Sequence, residues 1–177
     1  MSTISFFDEI YHIPRDYIAV ATRAVSSDAP NRNGDLFTPE NLTEAAPTYE
    51  DCQRVFVDHV TDDGQNSGVD RVYSRGYVRA WHMSDGVLYL LIFVSKKFPE
   101  LCDALATGKI NAVSMGCECN FICGICGAHD GCEHTAYLGL ETTSGYAYDI
   151  LTNIEFKEIS FVFEPADPSA LIYKVVW

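Results

Sequence analysis

Residues 87–94, Val-Leu-Tyr-Leu-Leu-Ile-Phe-Val, are apolar or aromatic at every position. Side chains alternate between the two faces of a strand, so a strand with no polar face must be covered on both sides. That makes the stretch a central strand of a sheet, or a barrel wall backed by helices. It is far shorter than the ~20 residues of a membrane span. Ser84-Asp85-Gly86, just before it, has the composition of a tight turn, which predicts a hairpin of residues 69–83 and 86–95.

Further strands follow from alternation at residues 17–25, 54–59, 110–116 and 154–163, with Pro165 and Pro168 breaking the last. Asn31-Arg32-Asn33-Gly34-Asp35 is a turn sequence. A short helix is expected after Thr38, a good N-cap followed by Pro39 at the first helical position, with Leu42, Ala45 and Ala46 as its apolar face. A second is expected over residues 98–107, ended by Gly108 in a left-handed conformation. Residues 62–67 read as a polar loop, residues 146–151 as a short helix in an ambiguous region, and residues 171–176 as a last strand or helical turn. Many strands, few helices and no βαβ repetition indicate a mostly β (α+β) fold, a β-barrel flanked by a few helices. With 177 residues, one core is enough, so residues 1–177 are expected to form a single domain.

The formal charge of −13, with 12 Lys and Arg residues scattered along the chain, argues against a nucleic-acid partner. No apolar run reaches membrane-spanning length and the start lacks a signal-peptide pattern, so a soluble intracellular protein is expected. Seven cysteines are an odd number, and five of them fall between Cys117 and Cys132. Such crowding points to metal and not to a disulfide framework. Cys123-Gly124-Ile125-Cys126 is a Cys-x-x-Cys knuckle that Cys132 and His134 can close into a tetrahedral structural zinc site. Cys117, Cys119 and His129 are reserve ligands, and residues 117–137 are expected to form a Cys-rich zinc-binding insert. A closed four-ligand site leaves no place for a reactive water, so the metal is assigned to structure.

Ser114 lies in Ala112-Val113-Ser114-Met115-Gly116, which departs from the Gly-x-Ser-x-Gly elbow at Ala112. A strand serine is ordinarily structural. It becomes a nucleophile when a base takes its proton and a third group orients that base. His59, at the end of an expected strand, is the candidate base, and Gly116 lets amides after Ser114 approach an oxyanion. Asp58 is a poor orienter if it adjoins His59 on a strand, because neighbours there point to opposite faces. Glu158 is expected to share its face with Phe156 and Ser160 and so to reach the cleft; the bland alternative is a solvated carboxylate.

Four segments resemble the head-maturation (prohead) proteases of tailed bacteriophages, which are related to the herpesvirus assemblins. They are residues 22–42, 55–59, 108–117 and 156–170, most specifically Gly108-Lys109-Ile110-Asn111-Ala112-Val113-Ser114-Met115-Gly116-Cys117, followed later by Glu158-Ile159-Ser160-Phe161-Val162-Phe163-Glu164-Pro165-Ala166-Asp167-Pro168. The resemblance implies a herpesvirus-protease-like barrel, Ser114 as nucleophile, His59 as base and Glu158 as third member, with Glu155 and Glu164 close by. It implies a serine endopeptidase that cleaves scaffold and major capsid proteins inside the prohead in the host cytoplasm, and it leaves room for a homo-oligomer. Similar Cys/His inserts follow the serine motif in some of those proteases. A non-enzymatic, zinc-stabilised capsid-assembly or scaffold module is the alternative.

Overall fold

The apolar stretch is a strand, Val87–Ser95, and it lies inside a four-stranded antiparallel sheet. The computed structural model describes residues 12–50, 52–60, 73–129 and 131–177. The chain order of its elements is β1 (Tyr17–Ser26), β2 (Asp35–Leu36), α1 (Pro39–Ala45), β3 (Val55–Val57), β4 (Gly76–Ser84), β5 (Val87–Ser95), α2 (Pro99–Ala106), β6 (Ala112–Cys123), β7 (Glu141–Thr142), β8 (Gly145–Tyr146), β9 (Asp149–Val162) and β10 (Ile172–Val176). Short 3-10 turns follow α1 (Ala46–Tyr49) and precede β7 (Glu133–Tyr137).

The first sheet runs β10-β1-β5-β4. As the apolar pattern requires, β5 is covered on both faces. Leu88, Leu90, Ile92 and Val94 enter the main core, while Leu91 and Phe93 pack with Ala19, Ala21, Tyr17 and Tyr77 on the opposite face. In the second sheet β9 is central. β6 pairs with it antiparallel along one edge, and β2 and β3 pair with it in parallel at either end of the other. Val55, Val113, Leu151, Phe156, Ile159 and Phe161 face the first sheet and share its core. Helix α1 starts where expected: Thr38 Oγ1 accepts from the Asn41 amide at 3.2 Å, and Leu42 is fully buried beneath it.

The expected barrel does not close; the main strands divide into two sheets packed face to face, and β7 and β8 form a separate two-stranded sheet. At one corner the chain entering β10 serves both sheets, with Arg23 N donating to Leu171 O and Val113 N to Ala170 O, each at 3.0 Å. At the other, Arg75 N donates to Val55 O at 2.7 Å and Val78 N to Cys52 O at 2.8 Å. These are isolated bonds and not a ladder, because β3 has only three residues and all of them pair with β9.

Three further expectations change. The strand expected at 54–59 stops at Val57. Residues 146–151 are not helical, because β9 begins at Asp149 and pairs through Leu151 with Phe121. Strand β6 continues past Gly116 to Cys123, so residues 117–123 of the expected insert belong to the sheet. The hairpin turn is at Asp85-Gly86 as expected, both with positive φ; the polar loop expected at 62–67 and residues 69–72 of the hairpin lie outside the described residues.

Candidate functional site

Along the β6–β9 ladder Ser114 stands opposite Ser160, and Gly116 opposite Glu158. Directly opposed residues of an antiparallel pair project from the same face. These four positions therefore share one face, while Val113, Met115, Ile159 and Phe161 pack on the core side. The register then slips between Gly116 and Cys117, so that Cys117 pairs with Phe156 and Lys157 is the extra residue of a bulge. The bulge sends Phe156 into the core, where its ring stacks on Tyr49 with centroids 4.5 Å apart. Glu158 shares its face with Ser160 as expected, but not with Phe156. A regular strand would have buried it in the core beside that ring.

His59 arrives from beyond the end of β3. Asp58 and His59 both adopt left-handed backbone, with φ of 49° and 57°. For residues other than glycine that conformation costs about 1 to 3 kcal/mol each, and it persists only where surroundings enforce it. Here the Asp58 amide donates to Phe161 O at 3.1 Å and the His59 amide to Ser160 Oγ at 3.2 Å. The turn carries His59 to the β9 carboxylate that the alternation argument alone could not supply. Its Nδ1 lies 2.8 Å from Glu158 Oε1. Ser160 Oγ donates to the other oxygen, Oε2, at 2.7 Å.

The pair straddles the surface, with the His59 side chain 44% exposed and that of Glu158 7%. Hydrogen bonding to Glu158 raises the imidazole pKa above the ordinary 6.5; burial pulls the other way and the nearby negative charge of Glu158 adds to the rise. With Nδ1–H donated to the carboxylate, Nε2 is the ring's proton acceptor. Beneath, the Tyr49 hydroxyl donates to the Glu158 carbonyl at 3.2 Å, and burial followed by the charge of Glu158 pushes that phenol well above its usual range. Glu155 is exposed and tied to Lys157 at 2.6 Å, and Glu164 is exposed, so neither takes the place of Glu158.

Ser114 is half-buried on β6, opposite the serine that receives the His59 amide. No hydrogen bond joins Ser114 to His59 among the described residues. Such contacts commonly tighten only with substrate in place. The structure therefore unites His59 with Glu158 and sets Ser114 across β9 from their anchor. Sequence reasoning missed Ser160 and Tyr49 as partners of that pair. The signal for Ser160 was its spacing, two residues beyond Glu158 on one strand face.

The cysteine cluster sits at the other end of the same ladder. Cys123 closes β6 opposite Asp149, and the chain then turns back, with the Gly127 amide donating to Cys123 O and the Cys123 amide to Ala128 O, both at 2.9 Å. The donor atoms of Cys123, Cys126, Cys132 and His134 all lie within 4.8 Å of one another. Cys126 and Cys132 Sγ are 3.5 Å apart, and His134 Nδ1 is 3.5 Å from Cys132 Sγ and 3.7 Å from Cys123 Sγ. Ligands at ~2.3 Å around a tetrahedral zinc stand about 3.8 Å apart, so the set has the right spacing and chemistry to hold a metal. Burial would raise the Cys123 thiol, but the Cys126 and Ile125 amides and the neighbouring thiols bring it to about 7.

The reserve ligands lie elsewhere. Cys117 and Cys119 pack against the main core, and burial, with Cys119 alongside, pushes the Cys117 thiol up to about 12. His129 forms a bridge to Ile122. From Ser114 to Cys123 is nine strand steps, roughly 30 Å at ~3.3 Å per residue. The Cys/His cluster therefore lies far from Ser114 along the strand, although the two are close in sequence.

No protein-family model matches the chain, and no curated protein matches it in sequence. Among solved structures its fold is similar to that of the bacteriophage T4 capsid assembly protease gp21, with a TM-score of 0.55 and 13% identity over 83% of this chain and 82% of that one. The Kaposi's sarcoma herpesvirus (KSHV) protease, solved with a hexapeptide phosphonate inhibitor, aligns with a TM-score of 0.49 and 10% identity over 91% of this chain and 65% of that one. The first likeness shows that this chain has the fold of a phage capsid assembly protease. No described helix is long and apolar enough to cross a membrane.

Proposed function

We propose that the chain is a serine endopeptidase of capsid maturation that cleaves scaffold and major capsid proteins within the prohead. The observation that carries this reading is the 2.8 Å bond between His59 Nδ1 and the buried Glu158 carboxylate, on the strand face that Ser114 shares. A paired acid and imidazole beside a serine is the arrangement that acyl transfer needs.

In the proposed reaction Ser114 Oγ attacks a peptide carbonyl while His59 Nε2 takes its proton. The same nitrogen then protonates the leaving amine. Glu158 keeps Nδ1 protonated and stabilises the imidazolium formed on the way. Water, activated by His59, releases the acyl group. Gly116 is accounted for by the acid: a Cβ there would lie 2.6 Å from Glu158 Oε1. Cys123, Cys126, Cys132 and His134 would hold a structural zinc, which cross-links their loop and takes no part in the chemistry.

A non-enzymatic assembly module is the competing reading, but it gives no reason to hold Asp58 and His59 in left-handed strain so that the imidazole meets a buried acid. Incubating the chain with its scaffold and capsid proteins tests the proposal. Ser114→Ala is expected to abolish cleavage while leaving the fold intact; cleavage at the parent rate would overturn it.

A further inference from the structure

A carboxylate rotates broadly about its last side-chain torsion, yet Glu158 has one oxygen on His59 and the other on Ser160. Ser160 is completely buried and uses its hydroxyl twice. It donates to Glu158 Oε2 and accepts the His59 amide, so a single oxygen atom ties the acid to the backbone of the turn that presents the base. Across the ladder, a methyl group at Gly116 would come within 2.6 Å of Oε1 and 3.0 Å of Cγ of Glu158. The carboxylate is thus clamped from one side and given room on the other.

We propose that Ser160 is a positioning residue for the His59–Glu158 pair, with Gly116 keeping open the space in which the carboxylate lies. This rests on the reading of His59 as general base. A Ser160 that merely satisfied buried groups would matter to stability alone. A positioning Ser160 fixes the plane of Oε1 relative to Nδ1, and its loss weakens that bond. Besides each other, the titratable groups around the pair among the described residues include Asp58 on the His59 turn, and Tyr49, Cys52 and Cys117 on the elements packed nearby. None of them hydrogen-bonds Oε2 among the described residues.

The test follows the His59 ring nitrogens by NMR across pH, in the full chain carrying Ser114→Ala to prevent self-cleavage. Adding Ser160→Ala is expected to lower the His59 pKa and to lose the protected Nδ1–H signal. In the otherwise unaltered chain the same change should reduce kcat about tenfold to a hundredfold, the effect expected for a hydrogen bond to a charged group, with KM within about twofold. Gly116→Ala leaves Ser160 in place and should give the same His59 signature by displacing the carboxylate. An unchanged His59 titration in a folded Ser160→Ala chain would overturn the proposal. Should that variant not fold, an unchanged titration in Gly116→Ala would overturn it. Because the NMR readout does not depend on cleavage, it stands apart from the nucleophile assignment, which fails if Ser114→Ala still cleaves.

Discussion

At one end of the β6–β9 ladder, His59, Glu158 and Ser160 are held by sheet pairing, a bulge and a strained turn, using residues about a hundred positions apart in the chain. At the other end, Cys123, Cys126, Cys132 and His134 converge within twelve residues, on a loop that leaves the sheet immediately. The first end is made by the fold and has no meaning without it. The second is built from local spacing and relies on a ligand to complete it. Roughly 30 Å of paired strand separates them, so each should fail without the other.

The sharpest way to break this contrast is to strike the fold-built end. His59→Ala is expected to cut the cleavage rate by ~10⁴ to 10⁶, with metal content unchanged by elemental analysis. Loss of metal together with activity would show that the ends are coupled. Glu158→Gln should cost somewhat less and should also move the pH profile. His59 acts as base only when neutral, and its contact with Glu158 raises its pKa, so parent activity should climb at a pH above 6.5. Removing the acid leaves burial, which lowers the pKa, and the rise should move to lower pH. A Glu158→Gln profile that keeps the parent midpoint would contradict the pairing.

Stripping the metal should have the smallest effect on chemistry. Zinc contributes ~10 to 16 kcal/mol in isolated peptide sites, so chelation should markedly speed amide exchange across residues 124–137. Exchange at residues 112–116 and the rate of cleavage should change by no more than about twofold. A large loss of activity on chelation would mean that the loop acts on Ser114 after all.

The same division explains what could be read from the sequence. The Cys/His cluster was legible because its spacing is local, and so were the β4–β5 turn at Asp85-Gly86 and the Thr38-Pro39 helix start. The split into two sheets was not. It depends on β2 and β3, of two and three residues, finding β9 more than a hundred positions downstream. The bulge at Lys157 was equally hidden, since strict alternation puts Phe156 and Glu158 on one face. The proposed catalytic residues came from resemblance of their surrounding motifs, and no spacing rule links His59 to Glu158. Left-handed backbone at Asp58 and His59 has only a weak local cue, since Asp and His visit that region more often than most residues, and the tertiary hydrogen bonds to Phe161 and Ser160 hold it here.

The central claim is tested most directly by exposing the chain to a fluorophosphonate, which forms a stable bond with an activated serine, and mapping the adduct by mass spectrometry. A single adduct on Ser114 is expected, formed at the same rate with and without chelator and lost in His59→Ala. Absence of an adduct, or one on another residue, would contradict the assignment of this end of the ladder as the reactive one.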